Sequence, residues 1–157
     1  MSMEEKFVKI VIDLPDAPLG VGGESVWSVQ VGDDLYEVRN TPWYAEDINF
    51  MDVVRAIAPA EDMKPVVKEI VHRGGHRTIR IIFFDGGAAE KHSVLAKTKH
   101  LGANFENCND TMYGLDLKPE VDFDAIADYL DECEARGWLN YSHAPQPQPM
   151  GTGDKVQ

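Results

Sequence analysis

The spacing of apolar residues changes near residue 75, and this change constrains the fold more than any other feature of the sequence. Before it, the chain reads as short β-strands separated by turns. Residues 7–12 are mostly apolar and β-branched, and Ser25–Val31 alternates polar with apolar side chains before the Gly32-Asp33-Asp34 turn. Leu35–Val38 then runs back as the second strand of a hairpin. Met51–Ile57 fits either a strand or a short helix, because periodicity cannot distinguish the two at this length.

After residue 75 the predicted strands are separated by two helices. The elements are a strand over Thr78–Phe84, a helix over Ala88–Leu101, strands over Ala103–Cys108 and Met112–Leu117, a helix over Asp122–Arg136 and a strand over Trp138–Tyr141. This order of strands and helices is that of a ferredoxin-like (βαββαβ) unit. We therefore predict an α+β fold, with an antiparallel β-rich subdomain over residues 1–75 packed on a ferredoxin-like subdomain over 76–144. The Pro/Gly-rich tail over 145–157 is expected to be extended and solvated.

A second predicted hairpin joins the two subdomains. Val66–His72 and Thr78–Phe84 read as strands, and the Gly74-Gly75 pair between them suits a two-residue turn with positive φ. On such a hairpin two histidines and two arginines crowd one tip, which disfavours a metal ion; nearby cysteine and carboxylate ligands are lacking as well. Two interpretations stay open, a solvated turn or a site for an anion or an acidic partner. The alternative anion-binding residues are Arg73, His76, Arg77 and Arg80.

Charge is distributed unevenly along the chain. Residues 1–63 carry a net charge of −9, residues 64–100 carry +5 and residues 101–157 carry −8, which gives −12 overall. Such an acidic surface repels nucleic acid and anionic lipid, and it accelerates encounter with cationic partners. We therefore expect no nucleic-acid partner, no membrane association and a basic protein as the binding partner.

The sequence carries no signature of catalysis, cofactor binding or export. Gly20–Ser25 lacks the lysine of a phosphate-binding loop and precedes a strand rather than a helix. No Gly-x-Ser-x-Gly motif occurs, and Cys108 and Cys133 are too few for a disulfide framework and wrongly spaced for a metal knuckle. No apolar run is long enough to span a membrane, and the first residues lack the apolar stretch of a secretory signal. We expect a cytoplasmic protein that is not an enzyme and holds no cofactor or metal.

The second predicted helix carries the clearest candidate for a binding surface. Between Glu120 and Glu134 the sequence has seven acids and no base. Acids near a helix C-terminus oppose the helix dipole, at a cost of roughly 0.3–1 kcal/mol each. A local rule broken without visible compensation indicates function, and the alternative is a solvated acidic face. We assign partner binding to five acids and the exposed aromatic residue predicted among them: Asp124, Asp128, Tyr129, Asp131, Glu132 and Glu134.

Four stretches of the sequence form a recognisable combination of motifs. They are Glu24–Trp27, Tyr36–Ala45, Asp52–Ala56 and Arg73–Arg80. Together with the strand and helix that follow, they resemble a bacterial family catalogued as domain of unknown function 4265, over residues 7–143. The resemblance implies a bacterial origin and the boundaries of the fold, and it implies no activity.

These observations favour a non-catalytic, acidic protein-binding protein. Its most specific form is a bacterial immunity protein that neutralises a cationic toxin domain, such as a nuclease, by covering the basic active site of that toxin. The alternative is a small regulatory module, or an uncharacterised small enzyme, that binds an anionic ligand through the basic turn.

Overall fold

The structure is a computed structural model that describes residues 5–14 and 22–144. Within these ranges the fold is α+β, with two sheets of mainly antiparallel strands and two short α-helices, which confirms the predicted class. The predicted tail over 145–157 lies outside the described residues.

The first sheet is a closed barrel whose five strands follow one another in chain order. The strands are β1 Phe7–Asp13, β2 Gly23–Gly32, β3 Leu35–Val38, β4 Val53–Ile57 and β5 Val66–His72. Successive strands pair antiparallel, and β1 meets β5 in a short parallel contact between Val11 and Val66. Because side chains alternate along each strand, every second one points into the barrel, where Ile10, Val38 and Val54 are fully buried.

The turn between β2 and β3 confirms the first predicted hairpin. The two strands pair antiparallel on either side of Asp33 and Asp34, and Asp34 adopts a φ of 59°, which aspartate tolerates better than most residues. The ambiguous segment Met51–Ile57 contains β4, because this segment lies between β3 and β5 and pairs with both. Pairing with neighbouring strands thus determines the secondary structure of a segment whose sequence pattern fits both a strand and a helix.

The second sheet has four antiparallel strands in the order β7-β8-β6-β9. Its elements are β6 Arg77–Phe83, a 3-10 helix Asp85–Glu90, α1 Lys91–His100, β7 Asn104–Asn107, β8 Met112–Leu117, α2 Phe123–Ala135 and β9 Leu139–His143. One face of this sheet and the inner faces of both helices share a hydrophobic core, which includes Ile79, Leu115, Val94 and Leu130. Regular α-helix begins at Lys91 rather than at Ala88, because the 3-10 turns precede it.

The predicted hairpin between Val66–His72 and Thr78–Phe84 is wrong. β5 pairs with β4 and β1, whereas β6 pairs with β8 and β9, so the two strands belong to different sheets. Gly75 has the expected positive φ, at 88°, but it ends one compact unit of the chain, and His76 begins the next. The predicted crowding of cations at a hairpin tip is therefore wrong as well.

Candidate functional site

Helix α2 is held on its sheet by a narrow apolar face. Ile126, Leu130 and Cys133 are buried there, at spacings of three and four residues that bring them to one side of the helix. Asp122 caps the N-terminus, since its side chain accepts a hydrogen bond from the backbone N–H of Ala125 at 3.1 Å. With these positions fixed, the acids of the helix lie on its flanks and on its outer side.

Asp124, Asp128 and Glu132 form an exposed row along the outer side of α2, which we call the acidic ridge. They are four residues apart, so that successive carboxylates are separated by about 6 Å along the helix axis. Among residues 5–14 and 22–144, the ion pairs within 4 Å join other side chains, and none includes a ridge carboxylate. The ridge is therefore a row of exposed negative charge with no ion pair within 4 Å among the described residues, although Asp124 attracts the nearby guanidinium of Arg77.

Asp131 and Glu134 are used differently from the ridge. Glu134 accepts the backbone N–H of Tyr141 at 3.0 Å, and Asp131 accepts the Tyr141 hydroxyl at 2.6 Å. Burial and the neighbouring acids, Asp131 first among them, raise the pKa of Tyr141, so it stays protonated and able to donate. These two acids tie α2 to the edge strand β9, which gives a structural reason for negative charge near the helix C-terminus that the sequence did not reveal.

Tyr129 is half-buried, so the prediction of an exposed aromatic anchor off the apolar face is wrong. Its ring packs against the core of the second sheet, and Lys97 Nζ lies 5.9 Å from the ring centroid. Burial, together with the contact with the Cys133 thiol, raises the pKa of Tyr129 to about 12. The side chain thus bridges α2 and α1.

The basic residues of the predicted anion site are distributed over separate environments. Arg73 donates to the Asp47 carbonyl and to Asp52 at 3.2 Å, which places it within the first unit. His76 Nδ1 lies 2.8 Å from the carboxylate of Asp116. The structure therefore does not gather the predicted set at one site.

Arg77 and Arg80 point to opposite faces of β6. Arg77 lies 3.6 Å from the ring centroid of Phe123, and burial lowers the pKa of this guanidinium although Asp124 opposes the shift. Arg80 is 8% exposed and lies on the other face of the strand. The cations that the sequence placed together are thus engaged within the fold, and the anion-binding hypothesis loses its geometric basis.

Neither a metal site nor a membrane-spanning helix has a candidate in the described ranges. No group of three or more His, Cys, Asp or Glu side chains there is arranged to hold a metal ion. No helix there is long and apolar enough to cross a membrane.

Comparison with known sequences and structures identifies the family. The profile described as Domain of unknown function (DUF4265) matches residues 24–141. The chain belongs to the DUF4265 family. No curated protein matches it. A crystal structure of a hypothetical protein from Neisseria gonorrhoeae is similar, with a TM-score of 0.77 and 16% identity over 93% of this chain and 99% of that one; at this identity the likeness shows the fold alone.

Glu24, in the first of the four stretches on which the resemblance rests, is a buried carboxylate whose role the sequence pattern did not reveal. Glu24 is 8% exposed and accepts backbone N–H groups from Trp43, from Tyr44 at 3.0 Å and from Ala45 at 3.1 Å. The sequence could have indicated that Glu24 is buried. Glu24 and the buried Val26 are two residues apart in β2, so their side chains face the same, inward side of the strand.

A second buried carboxylate within these four stretches is Asp52. It accepts backbone N–H groups from Asn49 and Gly74, both at 2.9 Å, and burial raises its pKa against these hydrogen bonds and the charge of Arg73. Gly74 passes so close to Met51 that a Cβ would lie 2.5 Å from the Met51 carbonyl oxygen. These two carboxylates of the DUF4265 protein therefore anchor loops, and the acidic ridge remains the candidate binding surface.

Proposed function

We propose that the protein is a non-catalytic binding protein whose acidic ridge is covered by a basic protein partner. Its specific form is an immunity protein of the bacterial cytoplasm that neutralises a cationic, nuclease-like toxin by covering the basic active site. The observation that carries the proposal is the row of Asp124, Asp128 and Glu132, which is exposed and has no ion-pair partner among the described residues.

Charge spacing supports a partner that binds nucleic acid. The ridge carries a carboxylate about every 6 Å, and a DNA strand carries a phosphate about every 3.4 Å along its axis. These spacings are of the same order, so a groove lined with Lys and Arg for a nucleic-acid strand can also pair with the ridge. The net charge of −12 further accelerates capture of such a partner.

We also propose that the second unit is a ferredoxin-like domain. The support is its element order β6-α1-β7-β8-α2-β9 together with the antiparallel strand order β7-β8-β6-β9. This arrangement leaves the outer side of α2 exposed to a partner, while the opposite side packs on the sheet.

The test is charge reversal of the ridge in a binding assay. The proposal expects the gene of the toxin to lie beside this one, and the probe is a catalytically inactive form of the basic nuclease domain that such a gene encodes. The variant is Asp124→Lys, Asp128→Lys and Glu132→Lys combined. Close charge pairs across an interface contribute about 1.5 kcal/mol or more each, so we expect a loss of affinity on the order of a thousandfold. Isothermal titration calorimetry at two salt concentrations measures the loss.

The control variant reverses two exposed acids outside α2, Glu61→Lys and Asp62→Lys. It is expected to keep affinity within about threefold, since neither acid belongs to the proposed interface and salt screens interactions between exposed charges. Equal affinity of the ridge variant and the parent protein at low salt contradicts the proposed interface. Binding by the parent protein without inhibition of the active nuclease contradicts the immunity function.

A further inference from the structure

The first unit has an open cleft at one end of its barrel. β1 and β2 run antiparallel with Phe7 opposite Val29, so the start of β1 lies at the same end as the turn between β2 and β3. The cleft at this end has a volume of about 650 Å³, within the range of roughly 300–1,000 Å³ that is typical of small-molecule sites. Such sites occur preferentially at a few places in protein folds, and the mouths of β-barrels are among them.

Polar side chains replace apolar ones at this mouth. Ser28 and Gln30 follow the apolar residues on the inward side of β2, and Gln30 lies opposite the buried Tyr36 in the hairpin. Ser28 is fully buried, and its hydroxyl donates to the Val8 carbonyl at 2.8 Å. Gln30 is exposed and lines the cleft, where its amide nitrogen donates to the Gly32 carbonyl at 3.1 Å. The amide oxygen of Gln30 can accept an N–H from a ligand.

The cleft also carries a cation and a carboxylate that ion pairs do not occupy. Lys6 and Asp33 both line it and are exposed, and neither takes part in an ion pair within 4 Å among residues 5–14 and 22–144. Glu5 lines the cleft as well, but Arg39 donates to both of its carboxylate oxygens, at 2.9 and 2.6 Å. Lys6 and Asp33 are therefore the charged groups that a ligand can pair with.

We propose that this cleft binds a small zwitterionic molecule, an amino acid or a dipeptide with apolar side chains. Its ammonium group pairs with Asp33 and donates to the amide oxygen of Gln30, and its carboxylate pairs with Lys6. Its side chains cover Val8 and Val29, which supply the apolar part of the lining. The site is separate from the acidic ridge, because all of these residues belong to the first unit.

The charges of the cleft favour a zwitterion over a simple anion, a simple cation or an uncharged ligand. An anion that pairs with Lys6 enters a cleft that also holds the carboxylate of Asp33, and a cation that pairs with Asp33 meets the ammonium of Lys6. Such like-charge contacts disfavour a ligand. An uncharged apolar ligand removes both groups from water without replacing their hydrogen bonds. A molecule with one group of each sign satisfies both.

The test is a titration of the full-length, ¹⁵N-labelled protein with leucine and with leucyl-leucine, followed by its amide NMR signals. For at least one of the two we expect a dissociation constant on the order of 1 mM or lower, with shifts at Gln30 and Asp33. N-acetyl-leucine amide, which lacks both charges, is expected to bind at least about tenfold more weakly. Tighter binding of leucine identifies a free amino acid as the ligand, and tighter binding of leucyl-leucine identifies a peptide; both results support the site.

The variant Asp33→Asn is expected to bind the tighter of the two ligands at least about tenfold more weakly. Asp33 is exposed in a turn, so the fold is expected to be retained, which the amide spectrum verifies. The matched control Asp13→Asn changes an exposed acid at the other end of β1 and is expected to keep affinity within about twofold. Absence of binding at about 10 mM, equal affinity of the uncharged analogue, or unchanged affinity of Asp33→Asn overturns the proposal. Each of these results leaves the proposed toxin partner standing, since none of them tests the ridge.

Discussion

At the residue scale, the buried carboxylate of Glu24 anchors a loop of the first unit. It satisfies three consecutive backbone donors of the loop between β3 and β4. We predict that Glu24→Gln lowers the free energy of unfolding by about 1–3 kcal/mol, because the amide nitrogen cannot accept these N–H groups. Urea denaturation followed by fluorescence measures the change.

Glu46→Gln is the matched control for that substitution. Glu46 lies in the same loop but is exposed, so the same change of charge is expected to alter the free energy of unfolding by no more than about 0.5 kcal/mol. Equal effects of the two substitutions would show that charge, rather than the hydrogen bonds, explains the role of Glu24.

A second prediction at this scale concerns the titration of Tyr129. Burial raises its pKa to about 12, so the folded state retains this proton more strongly than the unfolded state does. The stability that results is present below the ordinary tyrosine pKa and is lost as the pH rises from about 10 towards 12. The difference between absorbance titrations at 295 nm of the parent protein and Tyr129→Phe is expected to show one group ionising near pH 12. A midpoint near 10 contradicts the packing of this ring.

Sequence reasoning located the acids of α2 but not their separate uses. Asp124, Asp128 and Glu132 follow from spacing, because residues four apart share a helix side. The role of Glu134 depends on Tyr141, whose backbone N–H becomes an edge donor only once β9 pairs with β6. Such a role depends on tertiary structure and leaves no local pattern.

At the scale of elements, the contrast between neighbouring acids of α2 gives a sharp test. Glu134→Ala is expected to lower the free energy of unfolding by about 1 kcal/mol, because it leaves the edge N–H of Tyr141 without its acceptor. Glu132→Ala is expected to raise it by about 0.3–1 kcal/mol, because an exposed acid is removed from near the helix C-terminus. Thermal and urea unfolding of the two variants measure whether each substitution raises or lowers the free energy of unfolding. Destabilisation of similar size by both would contradict the division between ridge and structural acids.

Most strands and both helices were predictable, and the failed hairpin shows where such prediction ends. β2 and β3 are joined by a short turn, so their pairing is local and follows from the alternation and the turn residues. β5 and β6 are separated by only four residues, yet β6 takes its partners from β8 and β9 instead. The Gly74-Gly75 pair is compatible with a β5–β6 hairpin and with a connection between two sheets. Only the pairing of β6 with strands that are distant in sequence determines which of the two forms.

At the scale of the whole molecule, each unit has a hydrophobic core built from its own stretch of sequence. The buried residues of one core lie between Ile10 and Ala56, and those of the other lie between Ile79 and Leu139. The division between the two units falls after Gly75, near the residue at which the apolar periodicity of the sequence changes. Each type of pattern needs its own layer to bury its apolar side. Each core is therefore specified by contiguous sequence.

From this separation we predict that residues 76–144 fold as an isolated fragment with a stability of no more than about 3–5 kcal/mol, as expected for a core of this size. The fragment retains β6, which lies between β8 and β9 and carries the buried Ile79 and Ile81. A fragment of residues 91–144 is the control; it lacks this central strand and is expected to remain unfolded, because β8 and β9 then have no common partner. Dispersed amide signals in a heteronuclear NMR spectrum of the longer fragment, and their absence from that of the shorter one, verify the prediction. If the longer fragment is unfolded, the second core needs the first unit in order to form, although its own residues are contiguous in the sequence.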